Sequence, residues 1–145
     1  MTDQQIRDAI RGFLKAITEG EVKKALTFLA EDAVWTAPQG TFKGVAQIEK
    51  LVTWTVSVSK DNKVLENGIG IITQGDTGVI EHKLSGMYNG MKWEVPAVCI
   101  YEFKNGKMTN IRGFYDTLSQ AQQASKGFNR WVANAVAKGS RKGLS

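Results

Sequence analysis

The stretch GVIEHKLSGMYNGMKWEVPAVCIYEFKNGKMTNIRGFYD, Gly78–Asp116, reads as three strands joined by two tight turns, Asn89-Gly90 and Asn105-Gly106. Asn-Gly between alternating segments is the strongest short-range hairpin signal, because both residues accept positive φ at little cost. A two-residue turn sets the register, and the register decides which side chains share a face. At the first turn Tyr88 stands opposite Met91, Leu84 opposite Val95, His82 opposite Ala97 and Ile80 opposite Cys99. Successive side chains point to opposite faces. Ile80, Leu84 and Val95 make one side apolar, while Glu81, Lys83 and Ser85 point away. At the second turn a bulge at Gly106 is expected, which pairs Cys99 near Ile111, Ala97 near Gly113 and Val95 near Tyr115.

Three inner rows follow: Ile80–Cys99–Ile111, His82–Ala97–Gly113 and Leu84–Val95–Tyr115. The middle row holds the chain's one histidine and two very small side chains. Empty space in a core costs about 1 kcal/mol per missing methyl group, so either a helix residue fills this gap or the gap is a pocket. Trp93 and Tyr101 flank it on the same strand, and Trp35 and Trp54 are placed to close it from preceding elements.

Working outward, Thr2–Thr18 reads as a helix with one stripe through Ile6, Ile10, Phe13 and Ile17, opened by a Thr2/Gln5 capping box and stopped at Gly20. Glu21–Ala30 reads as a second helix. Ala33–Thr36 reads as a short strand ended by Pro38 and Gly40. Gly44–Ser57 reads as a third helix, apolar on two sides and therefore either deeply buried or bordering a cavity. Lys63–Thr73 reads as a strand bent or bulged at Gly68 and Gly70. Leu118–Lys138 reads as a last helix with Gly127 as its weak point, and residues 139–145 as a loose basic tail. Helices followed by a run of antiparallel strands indicate one α+β domain over residues 1–138.

Composition bounds the function. At 145 residues the chain suits one domain with a modest cavity. No run of about 18 apolar residues is present, the polar N-terminus opens a helix rather than a signal peptide, and one cysteine forbids an intrachain disulfide; together these favour the cytoplasm and no membrane. Five basic residues and no acidic one follow Asp116. A solvated helix face and tail accounts for them; they are spread out and no nucleic-acid motif accompanies them. One His and one Cys cannot supply a usual zinc set. Gly68-Ile69-Gly70 lacks the third glycine and following helix of a dinucleotide motif, so neither metal nor cofactor is expected.

The segments AEDAVWTAP (Ala30–Pro38), GTFKGVAQIEK (Gly40–Lys50) and WEVPAVCIYEFKNGKMTNIRGFYD (Trp93–Asp116), with the order of elements, resemble the SnoaL-like branch of the nuclear transport factor 2-like superfamily. The resemblance implies a cone-like curved mixed sheet, mostly antiparallel, with N-terminal helices on its concave face, an apolar cavity between them, and commonly a dimer. It leaves the chemistry open, because the family spans cyclases, isomerases, epoxide hydrolases, dehydratases and non-catalytic domains. Limonene-epoxide hydrolases use an Arg between two Asp residues, with Tyr and Asn holding the attacking water. Alignment by motif puts His82, Leu84 and Gly113 at the Arg and Asp positions, and Trp35 and Ala37 at the Tyr and Asn positions, so all five roles are missing here. No carboxylate can be assigned to the base of the ketosteroid isomerase relatives. His82 matches the histidine of polyketide cyclase relatives without an evident acid partner.

The residues themselves support two readings each. His82 is a general acid or base with an ordinary pKa of about 6.5, or a satisfied core histidine. Tyr101 and Tyr115 polarise a substrate oxygen, or serve as core aromatics. Trp35, Trp54, Trp93, Ala97, Cys99, Ile111 and Gly113 line a site for a flat apolar ligand, or simply pack. Cys99 reads as a small core residue rather than a nucleophile. On the outer face Val98, Ile100 and Phe114 form an apolar patch, suited to a homodimer or to cover by the C-terminal helix. The expectation is a small-molecule enzyme of the isomerase, cyclase or dehydratase type with His82 as proton shuttle. The alternatives are a non-catalytic binder of hydrophobic ligands and a dimeric interaction domain.

Overall fold

A computed structural model describes residues 1–144. The elements run α1 (Asp3–Thr18), α2 (Val22–Leu26), β1 (Leu29–Ala37), β2 (Gly40–Lys43), α3 (Val45–Val58), β3 (Lys60–Gln74), β4 (Thr77–Tyr88), β5 (Met91–Lys104), β6 (Lys107–Tyr115), α4 (Thr117–Ala124) and α5 (Gly127–Ser140). Six strands form one curved, unclosed sheet in the order β2-β1-β6-β5-β4-β3, antiparallel except for the β1·β6 pair. This is the α+β architecture expected.

The α1 capping box forms as read, with Gln5 N–H donating to Thr2 Oγ1 and Thr2 N–H to Gln5 Oε1. Ile6, Ile10, Phe13 and Ala16 on one face of α1 are fully buried against Ile71, Ile80, Tyr101 and Ile111 of the sheet. Gly78 permits the close approach, since a Cβ there would lie 2.4 Å from Ile10 Cδ1 and 2.9 Å from Ile6 Cγ2.

The first hairpin has the expected register throughout, from Tyr88↔Met91 to Ile80↔Cys99, with Asn89 and Gly90 both at positive φ. The second differs. Asn105 and Gly106 close a tight turn between Lys104 and Lys107, which leaves no extra residue at Gly106. The irregularity lies beyond the turn: Phe103 pairs Met108 and Glu102 pairs Asn110, so Thr109 is the extra residue, its hydroxyl donating to Glu102 O at 3.2 Å. The rows therefore slip by two residues: Cys99 pairs Gly113, Ala97 pairs Tyr115 and Tyr101 pairs Ile111. A two-residue slip preserves the face, so the odd positions remain inside.

Four boundaries also move. Leu29 and Ala30 belong to a strand rather than to the second helix, because Leu29 lies beside Met108 of β6 and Met108 N–H donates to Phe28 O. Residues 40–43 do not end the chain's extended run but return as β2, paired with Val34–Ala37. The expected bulge in β3 falls between Glu66 and Ile71. The single C-terminal helix is two: Ser125 and Lys126 are extended, Gly127 takes φ +56°, and α5 turns back on α4 with Gln122 donating to Asn134. Helix α5 reaches Ser140, two residues into the tail expected from residue 139; Ser145, at the end of that tail, lies outside the described residues. Among the described residues no helix is long and apolar enough to cross a membrane.

Candidate functional site

Between the concave sheet face and helices α1, α3 and α4 lies a cavity of about 530 Å³, floored by β4, β5 and β6 and closed at one side by Gln120, Ala121 and Ala124 of α4. Helix α4 holds its place by packing Ala124 on Trp93 and Val95 and by the Gln123 side chain, which accepts from Glu94 N–H and donates to Glu94 O. Aliphatic and aromatic groups make most of the wall.

His82, Tyr101 and Tyr115 all line this space, as do Trp35, Trp54, Trp93, Cys99 and Gly113. Two expected residues do not. Ile111 is fully buried in the core beside Tyr101, and Ala97 is buried opposite Tyr115 rather than opposite Gly113, outside the cavity lining. The bare patch of floor is therefore Cys99–Gly113, one row away from the place predicted. Trp35 reaches over it; a Cβ on Gly113 would be 3.8 Å from Trp35 Nε1 and 3.4 Å from Cys99 Sγ.

Among the described residues three buried side-chain polar atoms lack any hydrogen-bond partner: His82 Nε2, Trp35 Nε1 and Ser59 Oγ. All three residues line the cavity. An unmet buried donor or acceptor costs about 1–3 kcal/mol, and such atoms in a cavity wall mark where a ligand can bond. His82 is fully buried, and its Nδ1 faces Ile80 O at 3.4 Å. That contact favours the tautomer with the proton on Nδ1, leaving the Nε2 lone pair without a partner. Burial lowers the His82 pKa, against smaller upward pulls from the Ile80 carbonyl and Glu66, so the ring is neutral at pH 7.

The two tyrosines differ. Burial lifts the Tyr101 pKa well above 10, and the neighbouring Cys99 thiol adds to the rise. Burial likewise pushes Cys99 up to about 11, which removes it as a nucleophile at neutral pH. Tyr115 accepts from Gln39 Nε2, which leaves its own proton free to be donated. Its pKa is also raised by burial.

No Asp or Glu lines the cavity among the described residues. Glu66 is the cross-strand partner of His82, but its carboxylate is held by Arg11 through two bonds of 2.6 and 2.9 Å, which lower its pKa. No cluster of metal-ligating side chains occurs among the described residues. Sequence reasoning missed Ser59, Asn62 and Gln39. Ser59 caps α3 and Gln39 sits in the β1–β2 turn, positions outside any periodic pattern. The one available signal was Gly86, where a Cβ would strike Ser59 Oγ at 2.5 Å and Asn62 Oδ1 at 2.6 Å.

A family model for the SnoaL-like domain matches residues 10–111. The chain belongs to the SnoaL-like family. Solved structures agree in fold. TsrD from Streptomyces laurentii superposes with a TM-score of 0.76 at 16% identity, over 86% of this chain and 98% of that one. An epoxide hydrolase from M. tuberculosis, like limonene-epoxide hydrolase, gives 0.72 at 16% identity, over 92% and 97%. A protein of ketosteroid isomerase-like fold from Catenulispora acidiphila, in complex with trimethylamine, gives a TM-score of 0.73 at 20% identity, over 80% of this chain and 91% of that one. At these identities the likeness is one of fold. No curated protein matched the chain. A SnoaL-like fold accounts for the cone of sheet and helices, while the cavity's own residues must account for its chemistry.

Proposed function

We propose that this SnoaL-like protein is a small-molecule enzyme of the isomerase, cyclase or dehydratase type, with His82 moving the proton. One observation carries the reading: a fully buried imidazole with an unpartnered Nε2 stands in the wall of an apolar cavity. That nitrogen can take a proton from carbon or oxygen and return it, and the free Tyr115 proton supplies a hydrogen bond to developing negative charge. With Cys99 held protonated, proton transfer is better supported than covalent catalysis. The test is hydrogen–deuterium exchange at the α-carbon of enolisable ketones in D₂O, followed by NMR. Wild type is expected to catalyse exchange, and His82→Ala to lose it by about 10²–10⁴-fold, the usual scale of general base catalysis.

The lack of a lining carboxylate favours a second reading, a non-catalytic carrier of hydrophobic ligands. Ligand binding without turnover in both wild type and His82→Ala would sink the enzyme. For assembly, we place a homodimer on the convex face, where Val98 and Phe114 are exposed together with Leu65 and Ile72 and α5 provides no cover. Phe114→Lys should convert a dimer to monomers in sedimentation equilibrium; a wild type that is monomeric at 100-fold higher concentration than the assay refutes this. The lone free thiol suits a reducing compartment, and we assign the protein to the cytoplasm.

A further inference from the structure

We infer that the cavity takes a molecule polar at two ends, a hydrogen-bond acceptor such as a carbonyl oxygen docking on Trp35 Nε1–H beside Gly113 and a donor such as a hydroxyl facing His82 Nε2. The inference rests on the cavity being a ligand site, as proposed above, but not on turnover.

Trp35 supplies the sharper half. An indole N–H donates and cannot accept, so the group that satisfies it must bring a lone pair. Its Nε1 is buried without a partner, and the ring is braced by Phe13, with centroids 5.6 Å apart. The donor is therefore held in place rather than free to swing to water. Beneath it, Gly113 needs explaining. Glycine weakens a strand interior, yet Gly113 does not have positive φ, and an added Cβ would meet its neighbours at 3.4 and 3.8 Å, ordinary contact. Neither backbone conformation nor close packing demands glycine here. What a methyl group would remove is open cavity floor next to the unpartnered N–H.

His82 supplies the other half. With Nδ1 turned to Ile80 O, its Nε2 is an acceptor and calls for a donor. Gly113 on β6 shares a row with Cys99 and Ile80, and His82 stands two residues further along β4; two strand spacings and two residues of rise put the two backbone positions roughly 12 Å apart. Over that span a single small polar molecule cannot serve both residues, whereas a rigid apolar body with one polar group at each end can.

A matched naphthalene set tests this by titration against tryptophan fluorescence and by calorimetry: 6-hydroxy-2-acetylnaphthalene, 2-acetylnaphthalene without the hydroxyl, and 6-ethyl-2-naphthol without the carbonyl. The bifunctional compound should bind about tenfold more tightly than either partner, one hydrogen bond's worth in each comparison. Trp35→Phe keeps the ring and deletes the donor; it should erase the advantage of the acetyl group and leave that of the hydroxyl. Gly113→Ala should also erase the acetyl advantage while the native fold persists by near-ultraviolet circular dichroism. His82→Leu should erase only the hydroxyl advantage. An acetyl advantage unchanged in both Trp35→Phe and Gly113→Ala overturns the inference, as does failure of all three compounds to bind at millimolar concentration. Selective binding without any exchange at carbon would uphold the two-ended site and remove the enzyme, so the two proposals fail separately.

Discussion

Replacing His82 by Leu should leave the protein within about 2.5 kcal/mol of wild-type stability at pH 7.5, and the balance should shift toward the variant as the pH falls. His82 is fully exposed to nothing but protein and cavity, with Nε2 unpartnered and Nδ1 at a long 3.4 Å from Ile80 O. Leu removes an unmet polar atom, a gain of about 1–3 kcal/mol, and gives up one weak hydrogen bond, a loss of about 0.5–1.5 kcal/mol. Repacking an isosteric side chain subtracts under about 1.5 kcal/mol more. The expected change at pH 7.5 therefore lies between about 2 kcal/mol of destabilisation and about 2.5 kcal/mol of stabilisation, and each kcal/mol moves the melting temperature by about 2–4 °C in a chain of this size. The pH term has a definite sign. Burial lowers the folded-state pKa of His82, so below about 6.5 the unfolded chain takes up a proton that the folded chain refuses. Stability from the neutral ring is complete above that pH and is lost as the pH falls, by up to about 1.4 kcal/mol between pH 7.5 and 5.5. Of the groups near the ring, Glu66 is held ionised by Arg11, and Tyr101 and Cys99 are pushed up and stay neutral over this range. Urea denaturation of both proteins at the two pH values measures the difference, in which every other titrating group cancels. A variant destabilised by more than about 2 kcal/mol at pH 7.5, or a difference that does not change with pH, would show His82 to be a satisfied core residue and refute the reasoning.

The remaining predictions concern packing and reactivity. Gly78→Ala forces a methyl group into Ile10 and Ile6 of α1 and should cost about 1–3 kcal/mol by overpacking, read from the urea midpoint; a neutral result would mean that α1 can ride away from the sheet. Cys99, lifted to about 11 by burial, should resist a disulfide reagent at pH 8 in the native protein and react fully in denaturant, and rapid native labelling would contradict its burial. The Arg11–Glu66 pair, although bidentate, is partly exposed at both ends; Arg11→Ala should cost no more than about 1 kcal/mol, and less in 1 M salt, as thermal unfolding at the two ionic strengths would reveal.

Local chemistry in the sequence determined a good part of this protein. Asn89-Gly90 accepts positive φ at both positions, so the β4–β5 register and the inward face of His82 follow from four residues and the pleat. The α1 cap and stripe, the bulge signalled by Gly68 and Gly70, and the α+β class are legible in the same way, because each depends on neighbours in the chain. Tertiary contacts decided the rest. Leu29 leaves a helical pattern because a parallel partner, β6, satisfies its backbone. The extra residue of the second hairpin could sit on either strand, and it sits at Thr109 on β6, which moves the bare floor from His82 to Cys99–Gly113 and puts Tyr115 opposite Ala97. Ser59 and Gln39 reach the cavity from junctions that carry no period. Alternation along a strand assigns a side chain to a face, but which atoms on that face go without partners is settled only when α1, α3 and α4 close over it.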